Sequence, residues 1–284
     1  MGKNSHIEWT HHTFNPWWGC VKVSPACKYC YAEAWAKRVG AAVWGGRAPR
    51  RFFTDAHWRE PLKWNVEAER EKTRKRVFCA SMADVYERRA DLNESRDRLW
   101  ALIEATPHLD WLLLTKRPQN ILQMSPWGTT WPHNVWVGTT VENQKYANER
   151  LPELLSVPAV CRFLSCEPLL GPVDLSVWQS SKRRNGQHPI DWVIAGGESG
   201  PKARMMNPDW PLSLRDQCEA YGVPFHFKQW GHWAPLEQGN GHVRDQLIVE
   251  TRREGPVTMG KFSRKDARIL DGRTWDAVPM LASA

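Results

Sequence analysis

The chain has 284 residues, a mass of 32.8 kDa and 42% hydrophobic residues, enough for one large α/β domain or two small ones. With 39 Lys and Arg against 31 Asp and Glu, the net charge is +8 and the pI near 9.2, which suits an acidic partner, nucleic acid first, and equally suits a basic soluble enzyme. No apolar run reaches the roughly 18 residues of a membrane-spanning helix, so no membrane partner is expected.

In chain order, the N-terminus "MGKNSHIEW" has no apolar signal core and carries His6 where a myristoylation signal needs Ser or Thr. The expected location is the cytoplasm. A first strand is expected around Ile7–Phe14. Cys20, Cys27 and Cys30 follow, and residues 28–39 have a helical pattern. Residues 40–75 read as an insertion, with "EAEREKTRKR" at 67–76 as a solvated helix face. Short apolar runs then recur at 76–81, 111–115, 135–140, 160–165, 192–197 and 223–227. Each is nearly continuous in hydrophobicity, as strands buried on both faces are. Helices are expected at 92–106, at 142–157 with Pro152 as a kink or break, and at 208–222, which opens on prolines and stops at Gly222.

Seven strands separated by helices predict an α/β fold with parallel pairing and right-handed crossovers. The spacing suits a parallel (β/α) barrel, complete or partial, over residues 1–231; a doubly wound open sheet is the alternative. Residues 232–284 are basic and turn-rich, and read as an irregular C-terminal extension packed on the barrel. In a barrel, functional groups collect after the C-terminal strand ends. Here those ends are "SMADVYE" (81–87), "TKRPQN" (115–120), "TTVENQ" (139–144), "SCEPLLGP" (165–172), "GGESGPKAR" (196–204) and "KQWG" (228–231).

Seven cysteines, an odd number in a reducing compartment, argue for metal or redox chemistry over a disulfide framework. Cys20, Cys27 and Cys30 are spaced C-x6-C-x2-C, and the C-x2-C pair can hold one metal centre from a single turn. Structural zinc wants four ligands, which His11 or His12 could complete. A [4Fe–4S] cluster usually takes four cysteines. Three leave one iron open to chelate the amino and carboxylate groups of S-adenosylmethionine. Reductive cleavage of that cofactor gives a 5′-deoxyadenosyl radical, which abstracts hydrogen from an unreactive C–H bond. Cys79, Cys161 and Cys218 read as packing residues. Most of the 18 tryptophans read as core, with Trp17, Trp18 and Trp230 as platforms for a base or as packing.

The segment "CKYCY" resembles the radical S-adenosylmethionine pattern C-x-aromatic-C, with Tyr29 as the aromatic residue and a first gap of six residues instead of the usual three. Over nearly the whole chain, "FNPWWGCVKVSPACKYCYAE", "SMADVYE", "LLLTKRP", "VGTTVENQ", "FLSCEPLLGPV", "GGESGPKARMM", "VPFHFKQWG" and "LDGRTWDAVP" resemble a phage and bacterial family of three-cysteine proteins. That family is labelled by two phage gene-product names, thirty-seven and sixty-eight, and has a distant radical S-adenosylmethionine relationship. It is similar to the enzymes that hypermodify thymine in phage DNA, among them an isomerase that moves a glycyl group from nitrogen to carbon.

The resemblance implies a [4Fe–4S] cluster on Cys20, Cys27 and Cys30, bound S-adenosylmethionine, and an electron donor such as flavodoxin or ferredoxin. It puts Ser81 and Asp84 on the cofactor's amino group and Lys116 or Arg117 on its carboxylate, Arg having the better fork geometry. Thr139, Thr140 and Glu142 would hold the ribose, although Glu142 at a helix N-terminus has a dipole reason of its own. Gly196, Gly197 and Glu198 would line the adenine or substrate side, or simply make a tight turn. Cys166 and Glu167 end the fifth run; a thiol there could return hydrogen to a product radical, or be a small buried residue. Lys228 would face substrate. The implied partner is DNA or a modified nucleobase, and a base in a duplex must be extruded to reach a buried radical. Arg70–Arg76, Lys182–Arg184 within the loop 179–189, Arg252–Arg253 and Lys261–Arg268 are the basic stretches for a phosphate backbone. The rival readings are a zinc-stabilised nucleic-acid-binding protein without catalysis, and a radical enzyme acting on a peptide or small metabolite.

Overall fold

The computed structural model describes residues 2–179, 189–265 and 267–280, so the basic loop Lys182–Arg184 lies outside the described residues. The chain forms two compact units: Met1–Thr139 with Pro152–Arg162, and Thr140–Leu151 with Phe163–Leu281. The fold is α/β, and in each unit the main strands run parallel.

The first unit begins with β1 (His12–Phe14), β2 (Trp17–Trp18) and α1 (Tyr31–Arg38). It continues through β3 (Arg51–Phe52), α2 (Asp55–Trp58), α3 (Glu60–Arg70), β4 (Lys75–Cys79), α4 (Asn93–Glu104), β5 (Leu109–Thr115), α5 (Ile121–Met124) and β6 (Val135–Thr140). Strands β1, β4, β5 and β6 pair in that order, with Phe14 opposite Cys79, Cys79 opposite Leu113, and Thr115 opposite Thr139. Every residue of β6 is buried, as a parallel strand covered on both faces requires. Phe14 anchors the core, stacked 4.7 Å from His57 and edge-on to Trp58 and Trp111. Trp111 satisfies its buried N–H on Thr106 Oγ1 at 2.9 Å.

Two expectations for this unit change. The first strand starts at His12, not Ile7, because Ile7–Thr10 closes a turn in which Thr10 N–H donates to Ile7 O. The helix face expected over 67–76 ends at Arg70: Lys72 turns left-handed (φ 51°), and Lys75 and Arg76 open β4. Pairing of β2 with β3 ties the 40–75 insertion to the cysteine loop.

The second unit contains the larger parts of α6 (Gln144–Leu155) and β7 (Cys161–Cys166), with α7 (Ser176–Gln179), β8 (Trp192–Gly196), α8 (Asp209–Tyr221) and β9 (Phe225–Gln229). Pro152 lies inside α6 without dividing it. Strands β7, β8 and β9 pair in parallel in that order. Helix α8 stops where Gly222 turns left-handed (φ 64°) and its N–H bonds back to Cys218 O and Glu219 O. The C-terminal region holds a regular element that its turn-rich composition hides: β10 (Trp233–Pro235), β11 (Val243–Thr251) and β12 (Gly255–Phe262) form an antiparallel sheet. The irregular segment after it packs on β8 and β9. Trp192 Nε1 donates to Ala277 O, Phe227 N–H to Trp275 O, and Trp230 Nε1 to Ile269 O, each at 2.8 Å. Among the described residues, no helix is long and apolar enough to cross a membrane.

Candidate active site

The cysteine loop follows β2. Gly19 (φ +115°) is required there, since a Cβ would fall 2.3 Å from Val43 O. Gly19 N–H donates to Met82 O at 3.0 Å, and Gly45 N–H to Cys20 O at 3.0 Å, so Cys20 is pinned from both sides. Cys27 closes a short 3-10 turn that starts at Pro25, with its sulfur 3.9 Å from Ser24 Oγ. Cys30 caps the start of α1. Burial raises its thiol pKa. The N–H groups of Glu33 and Ala32 and the charge of Lys116 oppose that rise, and nearby Cys27 adds to it. Cys20 is pushed up to about 12, by burial first and by Asp84 second, against the pull of Arg117. These three thiols are partly exposed; Cys79, Cys161, Cys166 and Cys218 are buried.

Asp84 and Arg117 meet each other beneath Cys20. Asp84 Oδ2 accepts from Arg117 Nη1 at 2.7 Å and from Lys116 N–H at 3.1 Å. Its Oδ1 accepts from Thr115 Oγ1 at 2.7 Å and Tyr86 N–H at 3.0 Å. Arg117 also donates to Val21 O at 2.9 Å and reaches Cys20 Sγ at 3.7 Å. Burial alone would lower the Arg117 pKa, but Asp84 and Cys20 outweigh it and hold the guanidinium charged. Both groups are therefore engaged within the protein, whereas Lys116 has no side-chain hydrogen bond or ion pair among the described residues. Ser81 is buried, receives Asn15 Nδ2 at 3.0 Å, and accepts Tyr31 OH on its carbonyl at 2.9 Å. Thr139 is spent on Thr115 O at 2.9 Å.

In the second unit, Glu142 is fully buried, with Oε2 2.7 Å from Arg150 Nη1 and Oε1 without a partner; Thr140 Oγ1 is buried and unpartnered too. Such orphaned atoms cost about 1–3 kcal/mol each unless something satisfies them. Burial, then the Glu142 charge, pushes the Cys166 thiol up to about 12. At the end of β9, Lys228 Nζ donates to Glu167 Oε1 at 2.7 Å and Gln229 Nε2 to the same oxygen at 3.3 Å. Gly197 lets backbones meet, since a Cβ would lie 1.8 Å from Trp230 O, and a Cβ on Gly196 would lie 3.4 Å from Glu167 Cγ. Glu198 braces its own loop by gripping Arg204, with Oε2 2.9 Å from both Arg204 N and Nε.

Sequence reasoning missed several residues that hold these loops. Asn15 Oδ1 accepts Met82 N–H at 2.6 Å. Arg50 pairs with buried Glu87 at 2.6 Å and donates to the carbonyls of Val43, Gly45 and Ala48. Arg150 and Arg204 play the same bracing part for Glu142 and Glu198. The available signal was a polar Asn between Phe14 and Pro16 in "FNPWW". The arginines had none, because each reads as a surface charge until its partner is known. His11 and His12, the alternative zinc ligands, lie at the start of β1. There His11 Nδ1 accepts Arg76 N–H at 2.8 Å, and His12 stacks on Trp64 at 4.6 Å.

Residues 4–279 match the family model described as "Protein of unknown function (DUF5131)". The chain belongs to that family. No curated protein matches it. Among solved structures, two variants of spore photoproduct lyase are similar at 11% and 13% identity, both with a TM-score of 0.46. The likeness covers 93% and 92% of this chain and 72% and 71% of theirs. The family's description assigns no chemistry and no phage origin, so the chemistry of this member rests on its residues. Three partly exposed thiols, with backbone donors at Cys30, are the ligand type that an iron–sulfur cluster takes. The orphaned Thr140 and Glu142 oxygens fit a ligand rich in hydroxyl groups. Among the described residues, no three His, Cys, Asp or Glu side chains gather to hold a single metal ion.

Proposed function

We propose that this chain is a radical S-adenosylmethionine enzyme that holds one [4Fe–4S] cluster on Cys20, Cys27 and Cys30 and acts on a nucleobase. A modified thymine in DNA, rearranged at its glycyl arm, is the substrate that the motif resemblance favours. The observation that carries the reading is the division of the seven cysteines: the C-x6-C-x2-C triplet is partly exposed, and the other four are buried in strands and a helix. When bound, the cluster and S-adenosylmethionine supply a carbon radical able to take hydrogen from a C–H bond. Arg117 fixes the Cys20 loop through Val21 O. Lys116 is the cation left to meet a carboxylate. Glu142 Oε1 and Thr140 Oγ1 are buried groups in the second unit that a hydroxyl-bearing ligand of that unit would satisfy. Cys166, held as a neutral thiol by its raised pKa, suits hydrogen-atom return rather than nucleophilic attack. Electrons would come from a carrier of the flavodoxin or ferredoxin class.

Anaerobic purification with iron and sulfide analysis tests the cluster: about four irons are expected, and Cys27→Ala should lose them. Colourless protein carrying one zinc would overturn the proposal in favour of a metal-stabilised nucleic-acid binder. Mass spectrometry of nucleosides from DNA made with active protein and with the Cys27→Ala variant tests the substrate; identical nucleosides would remove DNA and leave a peptide or metabolite.

A further inference from the structure

Helix α1 is inverted in its burial. Its alanines Ala32 and Ala36 are buried and cluster with Val43 and Met82, while Tyr31 and Trp35 are 55% and 42% exposed. Burying a large apolar side chain is worth about 1.5–3 kcal/mol, so folding leaves the largest apolar group of this helix unused. Tyr31 and Trp35, four residues apart, share one face, and Val39 at the helix end, 47% exposed, continues the line. Val23, 44% exposed, lies in the loop between Cys20 and Cys27, and Tyr31 directly follows Cys30. The charge around these side chains is one-sided. Residues 20–51 hold seven basic residues and one acidic residue, Glu33, an excess of six in a chain whose whole excess is eight. All of the seven but Arg50 are exposed. Glu33 is already engaged, 2.6 Å from Lys22 and 2.8 Å from Lys37. Lys28 lies 5.3 Å over the ring of Tyr29, and Arg38 lies 5.9 Å over that of Trp35.

We propose that this face docks an acidic one-electron carrier protein, with Trp35 and Arg38 as principal contacts. The docking rests on the cluster reading, which supplies the need: an electron has to reach iron held on Cys20, Cys27 and Cys30. In the transfer the carrier is oxidised by one electron and that iron is reduced by one; no covalent bond forms or breaks. An apolar centre with a charged rim is the anatomy of a protein–protein interface, and Trp and Arg are the residues that most often dominate one. The net positive rim selects an acidic partner. A DNA duplex would match the rim, but its phosphate surface offers the aliphatic Val23 and Val39 nothing. Position points the same way, since a protein seated on Val23 and Tyr31 lies against the loop that carries the thiols. Complexes for electron transfer are small and transient, so dissociation in the micromolar range is expected.

Anaerobic titration calorimetry of the cluster-loaded chain, with an acidic flavodoxin and with an acidic ferredoxin, tests this. At least one should bind, and binding should weaken between about 50 and 200 mM salt. Trp35→Ser should weaken it about tenfold, and Arg38→Glu about fivefold. Arg70→Glu should leave it unchanged: Arg70 ends α3, where the chain turns toward the start of β4, whereas the cysteine loop follows the finishing end of β1, which runs parallel to β4. Dithionite should reduce the iron in every variant, so that a weakened response to the carrier reports a lost contact and not a lost cluster. Neither carrier binding, affinity indifferent to Trp35→Ser, Arg70→Glu acting as strongly as Arg38→Glu, or Trp35→Ser weakening a DNA duplex while sparing the carrier would each overturn the proposal. Iron analysis of the same samples tells the two failures apart. Absent docking with about four irons present refutes the surface alone, and absent iron refutes the cluster reading beneath it.

Discussion

Arg117 is where the first unit's candidate groups converge: it touches Asp84, Val21 O and Cys20, and both members of the ion pair are nearly buried. Arg117→Ala leaves Asp84 with a buried, uncompensated charge, and the expected loss is about 3–5 kcal/mol in urea unfolding. Arg117→Lys should lose less, keeping the charge but not the fork; an unmoved midpoint in the alanine variant would refute the role. His226 makes a different residue-level prediction. It is 1% exposed, neither ring nitrogen has a hydrogen-bond partner, and burial lowers its pKa to about 4, against the smaller upward pull of Asp276. The unfolded chain binds that proton near pH 6.5, the folded chain only near 4. Stability from this group is thus fully present above 6.5 and drains away as pH falls toward 4, by at most about 1.4 kcal/mol per pH unit. His226→Phe should flatten that part of the stability–pH curve; parallel curves would show that the ring titrates normally.

Elements here are held largely by backbone bonds from segments distant in the chain. The segment after β12 covers the end of β9: Trp230 N–H bonds to Ala267 O at 2.9 Å, Phe227 N–H to Trp275 O, and Arg268 Nε to Lys228 O at 3.0 Å. Trp275 fixes the segment through Arg273 at 3.6 Å, Arg215 at 5.0 Å, and its own N–H on Leu270 O. Trp275→Ala should speed amide exchange at Phe227 and Trp230 together while sparing Val193, whose N–H bonds to Pro224 O. Exchange rising at Phe227 alone would mean that the segment does not act as one piece. Because Lys228 and Gln229 carry the polar groups at this strand end, the segment also positions Glu167.

At the scale of the whole molecule, the excess of basic residues predicts that the proposed binding to a DNA duplex weakens steeply with salt. Affinity measured between about 50 and 200 mM salt checks this, and a flat response would argue for a neutral or small substrate. The sequence by itself determined the rhythm of the fold. Strands β4 to β9 lie within a few residues of where the apolar runs put them, since a parallel strand covered on both faces must be apolar along its length. It also determined the thiol triplet, whose spacing is local. Tertiary structure alone decided the partners. Cys20 and Arg117 meet across 97 residues, Arg50 and Glu87 across 37, and no local pattern announces either meeting. The antiparallel β11–β12 pair was missed for a related reason: β11 is exposed on both faces, and without a buried face a strand has no hydrophobic alternation to read.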